Sequence, residues 1–86
     1  MSDLQAEFID IELTRPLEIA GVAVKAMRMR EPTVKDQMVA SEVKGGPAQQ
    51  EVRLIANLCD VSPADIERLP LRDYKRLQDA FLGFTV

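Results

Sequence analysis

The feature that most constrains the fold of this chain is a change of hydrophobic period at residues 30–33. Before this point apolar and polar residues alternate, with Ile9, Ile11 and Leu13 on one side, which is the pattern of a half-buried β-strand. After it, apolar residues recur at helical spacing. Pro32 disfavours helical geometry in the residue before it and therefore ends the strand region. The change predicts an α+β fold, with strands first and helices after them.

The strand region contains a break that predicts a hairpin. Ala20-Gly21 is a suitable two-residue turn between two strands that each have an alternating pattern. In the second strand the apolar face changes sides between Ala26 and Met27, which predicts a bulge or bend at that point. We therefore expect an N-terminal β-hairpin over residues 7–30.

The rest of the chain predicts four helices packed against this hairpin. Thr33 is a good N-cap residue, with Asp36 three positions later in a variant of the capping box. The predicted helices cover residues 33–44, 48–59, 63–69 and 71–82, with a linker at 44–47 and Gly83 ending the last helix. Because 86 residues supply only one hydrophobic core, we expect a single domain over 1–86, with 1–6 disordered.

The composition argues against catalysis. The chain has one cysteine, Cys59, and no histidine, which excludes a Cys/His zinc site and Ser–His or Cys–His catalysis. No glycine-rich segment resembles a phosphate loop. Asp65 and Asp73 occupy positions where a helix start favours an acid, so we interpret them as capping or solvated groups. We expect no enzyme activity, no cofactor and no metal.

Charge and hydropathy predict neither a nucleic-acid nor a membrane partner. The net charge is −3 and the isoelectric point is about 4.8, whereas nucleic-acid-binding domains are usually basic. No apolar run approaches the roughly 18 residues that cross a bilayer. The first four residues, Met1–Leu4, lack the basic and apolar parts of a secretory signal. We expect a cytoplasmic protein.

A helix-turn-helix regulator is an alternative interpretation of the C-terminal half. The short helix at 63–69 and the helix from 71 would form the motif. A basic block over residues 68–76 would then contact phosphates through Arg68, Arg72, Lys75 and Arg76. The acidic isoelectric point and the Pro70 turn argue against this alternative.

Several segments together resemble a known family. They are Leu13-Thr14-Arg15-Pro16, Gly21, Arg30-Glu31-Pro32-Thr33 with Asp36, the run from Leu54 to Pro63, and Leu69, Asp73 and Phe84. Over about residues 9–84 the chain resembles the small tail assembly chaperones of contractile-tailed phages and Mu-like prophages. It departs from the family pattern at Asp60, where a glycine is expected to end the helix.

This resemblance implies a non-catalytic assembly factor of the bacterial host cell. Such a protein binds the tape-measure protein, keeps it soluble, helps to recruit tail-tube subunits, and is not expected in the mature virion. Family members are often made together with a longer frameshifted form. A permanent minor tail component is the alternative within the same biology.

The most recognisable motif consists of Arg30, Glu31, Pro32, Thr33 and Asp36. We interpret it as mainly structural, because a strand stop and a helix cap explain three of its residue types without a ligand. Arg30 is the least explained member. It could pair with Asp10 or Glu12 on the adjacent strand, or face a partner.

The predicted partner-binding surface is apolar. A small domain cannot bury all its broad apolar helix faces, so we expect a groove for an amphipathic helix of the tape measure. The candidate lining residues are Met38, Leu54, Leu58, Phe81, Leu82 and Phe84, and the basic block would form the polar rim. Self-association into a homo-oligomer could cover the same surface. The clustered methionines Met27, Met29 and Met38 are interpreted first as core filler.

Overall fold

The computed structural model describes residues 7–85, and it shows an N-terminal hairpin followed by helices. The elements are β1 (Phe8–Ile19), β2 (Val22–Arg30), α1 (Val34–Ser41), α2 (Pro47–Cys59), α3 (Pro63–Glu67) and α4 (Leu71–Phe84). The two strands pair antiparallel. This confirms the α+β prediction with its hairpin and helical set. The disorder expected at 1–6 lies outside the described residues.

The hairpin turns at the predicted dipeptide. Ala20 and Gly21 have φ values of 51° and 81°, and they connect the paired residues Ile19 and Val22. Two successive residues with positive φ give a turn whose twist matches the twist of the flanking strands. Glycine adopts a positive φ without a steric cost, so position 21 favours glycine.

The irregularity predicted for β2 lies in β1. Glu12 pairs with Ala26, but the next pair is Leu17 with Val24, so four residues of β1 lie opposite a single residue of β2. The apolar face of β2 does change sides near the predicted place, because half-buried Val24 pairs with buried Leu17 and buried Met27 pairs with buried Ile11, although Val24 and Met27 are an odd number of residues apart. The extra residues lie in the other strand, where proline at position 16 has no N–H to donate to the ladder.

A buried aspartate attaches this irregular segment to α4. Asp73 is fully buried in the first turn of α4. Its Oδ1 accepts a hydrogen bond from the backbone N–H of Thr14 at 3.0 Å, and its Oδ2 accepts one from the Thr14 hydroxyl at 3.0 Å. The sequence placed Asp73 correctly at a helix start but wrongly as a capping or solvated group. Its carboxylate satisfies backbone that the strand ladder leaves unpaired.

Two arginines of α4 reinforce the same attachment. Arg72 Nε donates to the hydroxyl oxygen of Thr14 at 3.1 Å, and Arg76 donates to the backbone carbonyl of Glu12 at 2.8 Å. Both acceptors lie in or beside the irregular segment of β1. Because α4 contacts this segment through backbone as well as side-chain groups, its position relative to the hairpin is fixed.

The core lies between the hairpin and helices α2 and α4. Its most buried members are Met27 and Met29 of β2, Ile55, Ala56 and Leu58 of α2, Ile66 of α3, and Leu77 of α4. Two of the three clustered methionines thus fill the junction between sheet and helix, as the core-filler interpretation expects. The third, Met38, is 61% exposed on α1.

Three helix ends differ from the prediction. Helix α1 ends at Ser41 rather than at residue 44, because the next residues make shorter-range bonds, from Glu42 N–H to Val39 and from Val43 N–H to Ala40. Helix α3 ends at residue 67. Helix α4 continues through position 83 to Phe84, since an exposed glycine weakens a helix without necessarily ending it.

Asp60 replaces the glycine expected after α2. It has a left-handed conformation with φ 58°, which aspartate tolerates better than most residues. The backbone N–H of Val61 then donates to the carbonyl of Ala56 at 3.0 Å, as in a Schellman motif. The helix therefore ends at Cys59, as predicted, despite the departure from the family pattern.

The family motif forms the junction between β2 and α1. Arg30 donates two hydrogen bonds to the Asp36 carboxylate, at 2.7 and 2.8 Å. Thr33 N–H donates to Asp36 Oδ2 at 2.8 Å, and Asp36 N–H donates to Thr33 Oγ1 at 3.3 Å, which completes the predicted capping box. Glu31 N–H donates to the Glu7 carbonyl at 2.9 Å, so the hairpin pairing continues one step beyond the strands.

Of the two alternatives left open for Arg30, pairing with Asp10 or Glu12 on the adjacent strand is wrong, because Arg30 binds Asp36. In the strand register Asp10 lies opposite Arg28, and Arg28 forms the ion pair with it at 2.9 Å. Arg30 lies opposite Phe8 instead, which offers no carboxylate. Its guanidinium is therefore available to Asp36, which is only six residues away in sequence.

Replacing Thr33 by alanine should lower the free energy of unfolding by about 0.5–2 kcal/mol, because the N-cap hydroxyl that accepts from Asp36 N–H is lost. Thr33→Ser is the matched control, because it keeps the hydroxyl and should retain most of the stability. Urea denaturation monitored by circular dichroism measures both. A denaturation midpoint unchanged in Thr33→Ala, with an unchanged slope, would contradict this assignment of the cap.

Replacing Asp36 by asparagine should destabilise the domain in a pH-dependent way. The hydrogen bonds from Arg30, together with those from Thr33, hold the pKa of the Asp36 carboxyl well below its usual range despite its partial burial. A carboxyl whose pKa is lowered by folding stabilises the fold above its unfolded pKa of about 3.9, and this contribution is lost as pH falls towards the folded pKa. We expect a loss of about 1–3 kcal/mol at pH 7.

The same measurement repeated at lower pH checks the mechanism. The difference in unfolding free energy between the wild type and Asp36→Asn should shrink progressively below about pH 4. Asp10→Asn is the control, because the Asp10–Arg28 pair is exposed and such pairs contribute little. A difference that stayed constant down to pH 2 would show that the charge of Asp36 is not what stabilises the junction.

Replacing Asp73 by alanine should cost about 1–3 kcal/mol or more, because the N–H of Thr14 would be left without its acceptor in a partly buried place. Thr14→Val keeps that N–H and removes the hydroxyl, together with its bond to Asp73 and the bond that it accepts from Arg72, so it should cost less. Chemical denaturation measures the free energy of unfolding of both variants and of the wild type. Equal losses would show that the hydroxyl, rather than the backbone N–H, carries the attachment.

Candidate functional site

An open groove of about 600 Å³ runs over α2 between α1 and α4. Helix α1 packs against α2, and α4 packs against both α2 and the hairpin, so α2 forms the floor and the other two helices form the walls. The lining residues are Gln37, Ala40 and Ser41 of α1, Pro47, Gln50, Glu51, Leu54 and Ile55 of α2, and Gln78, Asp79, Phe81 and Leu82 of α4. Six of these twelve are apolar.

Three of the six predicted partner-binding residues meet in this groove. Leu54 is buried in the floor, with 8% of its surface exposed. Phe81 is partly buried against the core, and Leu82 is 58% exposed. Together they form a graded apolar surface, from buried floor to exposed wall, which is the kind of surface that accepts the apolar face of a helix.

The other three predicted residues lie elsewhere. Leu58 is 2% exposed and lines a cleft between α2 and the hairpin, because β2 covers this end of α2. Phe84 is partly buried against the core. Met38 is exposed on α1 but lies outside the groove lining. The structure therefore supports a groove built on Leu54, Phe81 and Leu82, and Leu58 belongs to the core.

Hydrogen bonds hold the two walls against the floor. On one side, Gln50 donates its side-chain amide to the carbonyls of Ser41 and Val43, at 3.4 and 3.3 Å. On the other, Glu51 Oε1 accepts from the Tyr74 hydroxyl at 2.5 Å and from the Gln78 amide at 2.8 Å. Burial, together with the bond to Glu51, raises the pKa of Tyr74, so this hydroxyl stays protonated and keeps donating.

The groove rim is acidic rather than basic. Its lining includes Glu51 and Asp79 and no lysine or arginine, so the basic rim expected from residues 68–76 is wrong. The physical reason is that three arginines of this block bind other parts of the molecule. Arg68 pairs with Asp65 at 2.6 Å, and two further arginines bind β1 as described above.

The contacts of the basic block argue against the helix-turn-helix alternative. The first helix of that motif would be α3, which has only five residues. Three of the four basic side chains proposed to contact phosphates, those of Arg68, Arg72 and Arg76, bind groups of the chain itself. These contacts give the basic block a role within the fold.

The motif residues of the β2–α1 junction do not line the groove. Arg30, Thr33 and Asp36 bind one another. Their hydrogen bonds join the end of β2 to the start of α1. Within residues 7–85, no cluster of three or more potential metal ligands occurs, and no helix in this described part is both long and apolar enough to cross a membrane.

Sequence reasoning missed the polar half of the groove. Gln37, Gln50 and Gln78 each occupy a polar position of a helix, a pattern that solvated residues share. Only the packing of α1 and α4 on opposite sides of α2 places them in one groove. No signal in the sequence relates these three positions.

Comparison with known families agrees with the resemblance noted in the sequence. A family described as "Phage tail assembly chaperone proteins, E, or 41 or 14" matches residues 10–86. Searches of curated proteins and of solved structures returned no match. The family match covers nearly the whole chain, including β1 from residue 10, all of β2, every helix of the groove and the β2–α1 junction. The chain therefore belongs to the family of phage tail assembly chaperones.

Proposed function

We propose that this chaperone binds the tape-measure protein of the phage tail through the groove between α1 and α4. In this role it is non-catalytic, keeps its client soluble in the host cell, helps to recruit tail-tube subunits, and leaves before the tail is complete. Family membership supports a partner among phage tail proteins. The groove supports the mode of binding.

The observation that carries the proposal is the exposure of Leu82 beside Phe81 above the buried Leu54. An exposed leucine on a groove wall adds apolar surface that the monomer leaves in water. A client helix that laid its own apolar face in the groove would remove that surface from water. Helix-in-groove binding recognises apolar anchors spaced about one turn apart, so it suits a client that presents an amphipathic helix.

The proposal is tested with two matched leucine variants of α4. Leu82 is 58% exposed in the groove, whereas Leu71 is 70% exposed at the other end of the helix and outside the groove. Replacing either by glutamine removes apolar surface without changing charge, and glutamine is a good helix former. Neither change should alter the free energy of unfolding by more than about 0.5 kcal/mol.

We expect Leu82→Gln to reduce co-purification of the co-expressed tape-measure protein and the fraction of that client that stays soluble. Leu71→Gln should behave as the wild type. If the two variants behave alike, the groove is not the client site. If the wild type neither binds nor solubilises the tape measure, the proposed function is wrong. Finding the protein in purified tails would favour a permanent minor component instead.

A further inference from the structure

The charged side chains of the groove lining are all acidic. Its lining carries two carboxylates, Glu51 and Asp79, and no basic side chain. Each carboxylate lies three residues before an apolar groove residue on the same helix, namely Leu54 and Leu82. Three residues correspond to about 4.5 Å along a helix axis. Floor and wall thus repeat one arrangement, an acid nearly one turn from an apolar contact.

Glu51 is held in place by the fold. Its Oε1 accepts hydrogen bonds from Tyr74 and Gln78 of α4, whereas its Oε2 accepts none from any residue between 7 and 85. A carboxylate fixed by two donors loses little conformational entropy when a third donor arrives. Glu51 therefore offers a pre-oriented acceptor at the floor of the groove.

Asp79 contributes an exposed charge on the wall. Across the described part of the chain, it takes part in no hydrogen bond or ion pair, and its residue is exposed. The last turn of α4, which includes Phe81 and Leu82, also has no basic residue to offset the negative end of the helix dipole. The Asp79 charge and the helix dipole both add negative potential at the C-terminal end of the α4 wall.

The opposite wall does not cancel this charge. The N-terminus of α2 at Pro47 carries a positive partial charge, but it lies beside the C-terminal end of α1, as the bonds from Gln50 to Ser41 and Val43 show. The negative end of α1 offsets it locally. The charged side chains that line the groove are Glu51 and Asp79, and both are negative.

We propose that the groove selects an amphipathic client helix that carries lysine or arginine three or four residues from its apolar anchors. This inference rests on the proposed function and names the chemistry of the client segment. An anchor would contact Leu54, Phe81 and Leu82, while the neighbouring basic groups would pair with Glu51 and Asp79. Uncharged or acidic amphipathic segments bind less well, because they leave the carboxylates unpaired or repelled.

The test uses overlapping peptides of the tape-measure protein and measures their affinity for the full chain by fluorescence anisotropy. Peptides that bind the wild type and lose affinity for Leu82→Gln define groove binders. Among these we expect basic amphipathic sequences, with affinities that fall as salt is raised. Asp79→Asn should weaken them about two- to fivefold at low salt, as an exposed ion pair does. Glu18→Gln, a carboxylate substitution on the hairpin, should have no effect.

The outcomes separate the two proposals. Groove binders that are indifferent to salt and to Asp79→Asn would overturn the selection of basic segments while leaving groove binding intact. Two designed helical peptides, identical in their apolar stripe but flanked by lysine or by glutamate, test the selection even if no tape-measure peptide binds. The lysine peptide should bind tighter to the wild type and lose this advantage in Asp79→Lys. Equal affinities, or an advantage that survives both Asp79→Lys and Leu82→Gln, would overturn it.

Discussion

The hydrogen-bonded Asp36 carboxylate is the anchor on which the position of α1, and with it one wall of the groove, depends. It accepts from Arg30 at the end of β2 and from Thr33 at the start of α1, so one side chain fixes both the end of the sheet and the direction of the first helix. Charged hydrogen bonds of this kind are stronger than neutral ones. Helix α1 needs such an anchor, because Ala40 is its only buried residue. Without it, the α1 wall of the groove would be held mainly by the buried Ala40 and the bonds from Gln50.

A second aspartate fixes the opposite wall. Asp73 binds the irregular segment of β1 at Thr14, and so places α4 against the hairpin while Leu77 packs into the core. A buried carboxylate costs desolvation free energy unless hydrogen bonds compensate it, and here the donors are the Thr14 N–H, which the strand pairing leaves free, and the Thr14 hydroxyl. The groove is the space between two helices that separate carboxylates attach to one hairpin.

The sequence predicted the junction better than the groove for a physical reason. Caps, turns and strand stops depend on residues close in sequence, so Thr33, Pro32 and Gly21 could be interpreted locally. The roles of Asp73 and Leu58 depend on contacts across the fold. An acid at a helix start has the same local pattern whether it is solvated or buried, and a leucine beside an apolar stripe has the same pattern whether a hairpin covers it or not.

The acidic lining also affects whether a second copy of the chain can occupy the groove. Two copies of the chain that met groove to groove about a twofold axis would bring the same patches together, and so would oppose Glu51 and Asp79 of one copy to those of the other. Like charges brought together in an interface cost free energy. A basic amphipathic segment meets the same apolar surface with charges of opposite sign. The carboxylates therefore disfavour closure of the groove by self-association of this kind, and favour its use by a client of complementary charge.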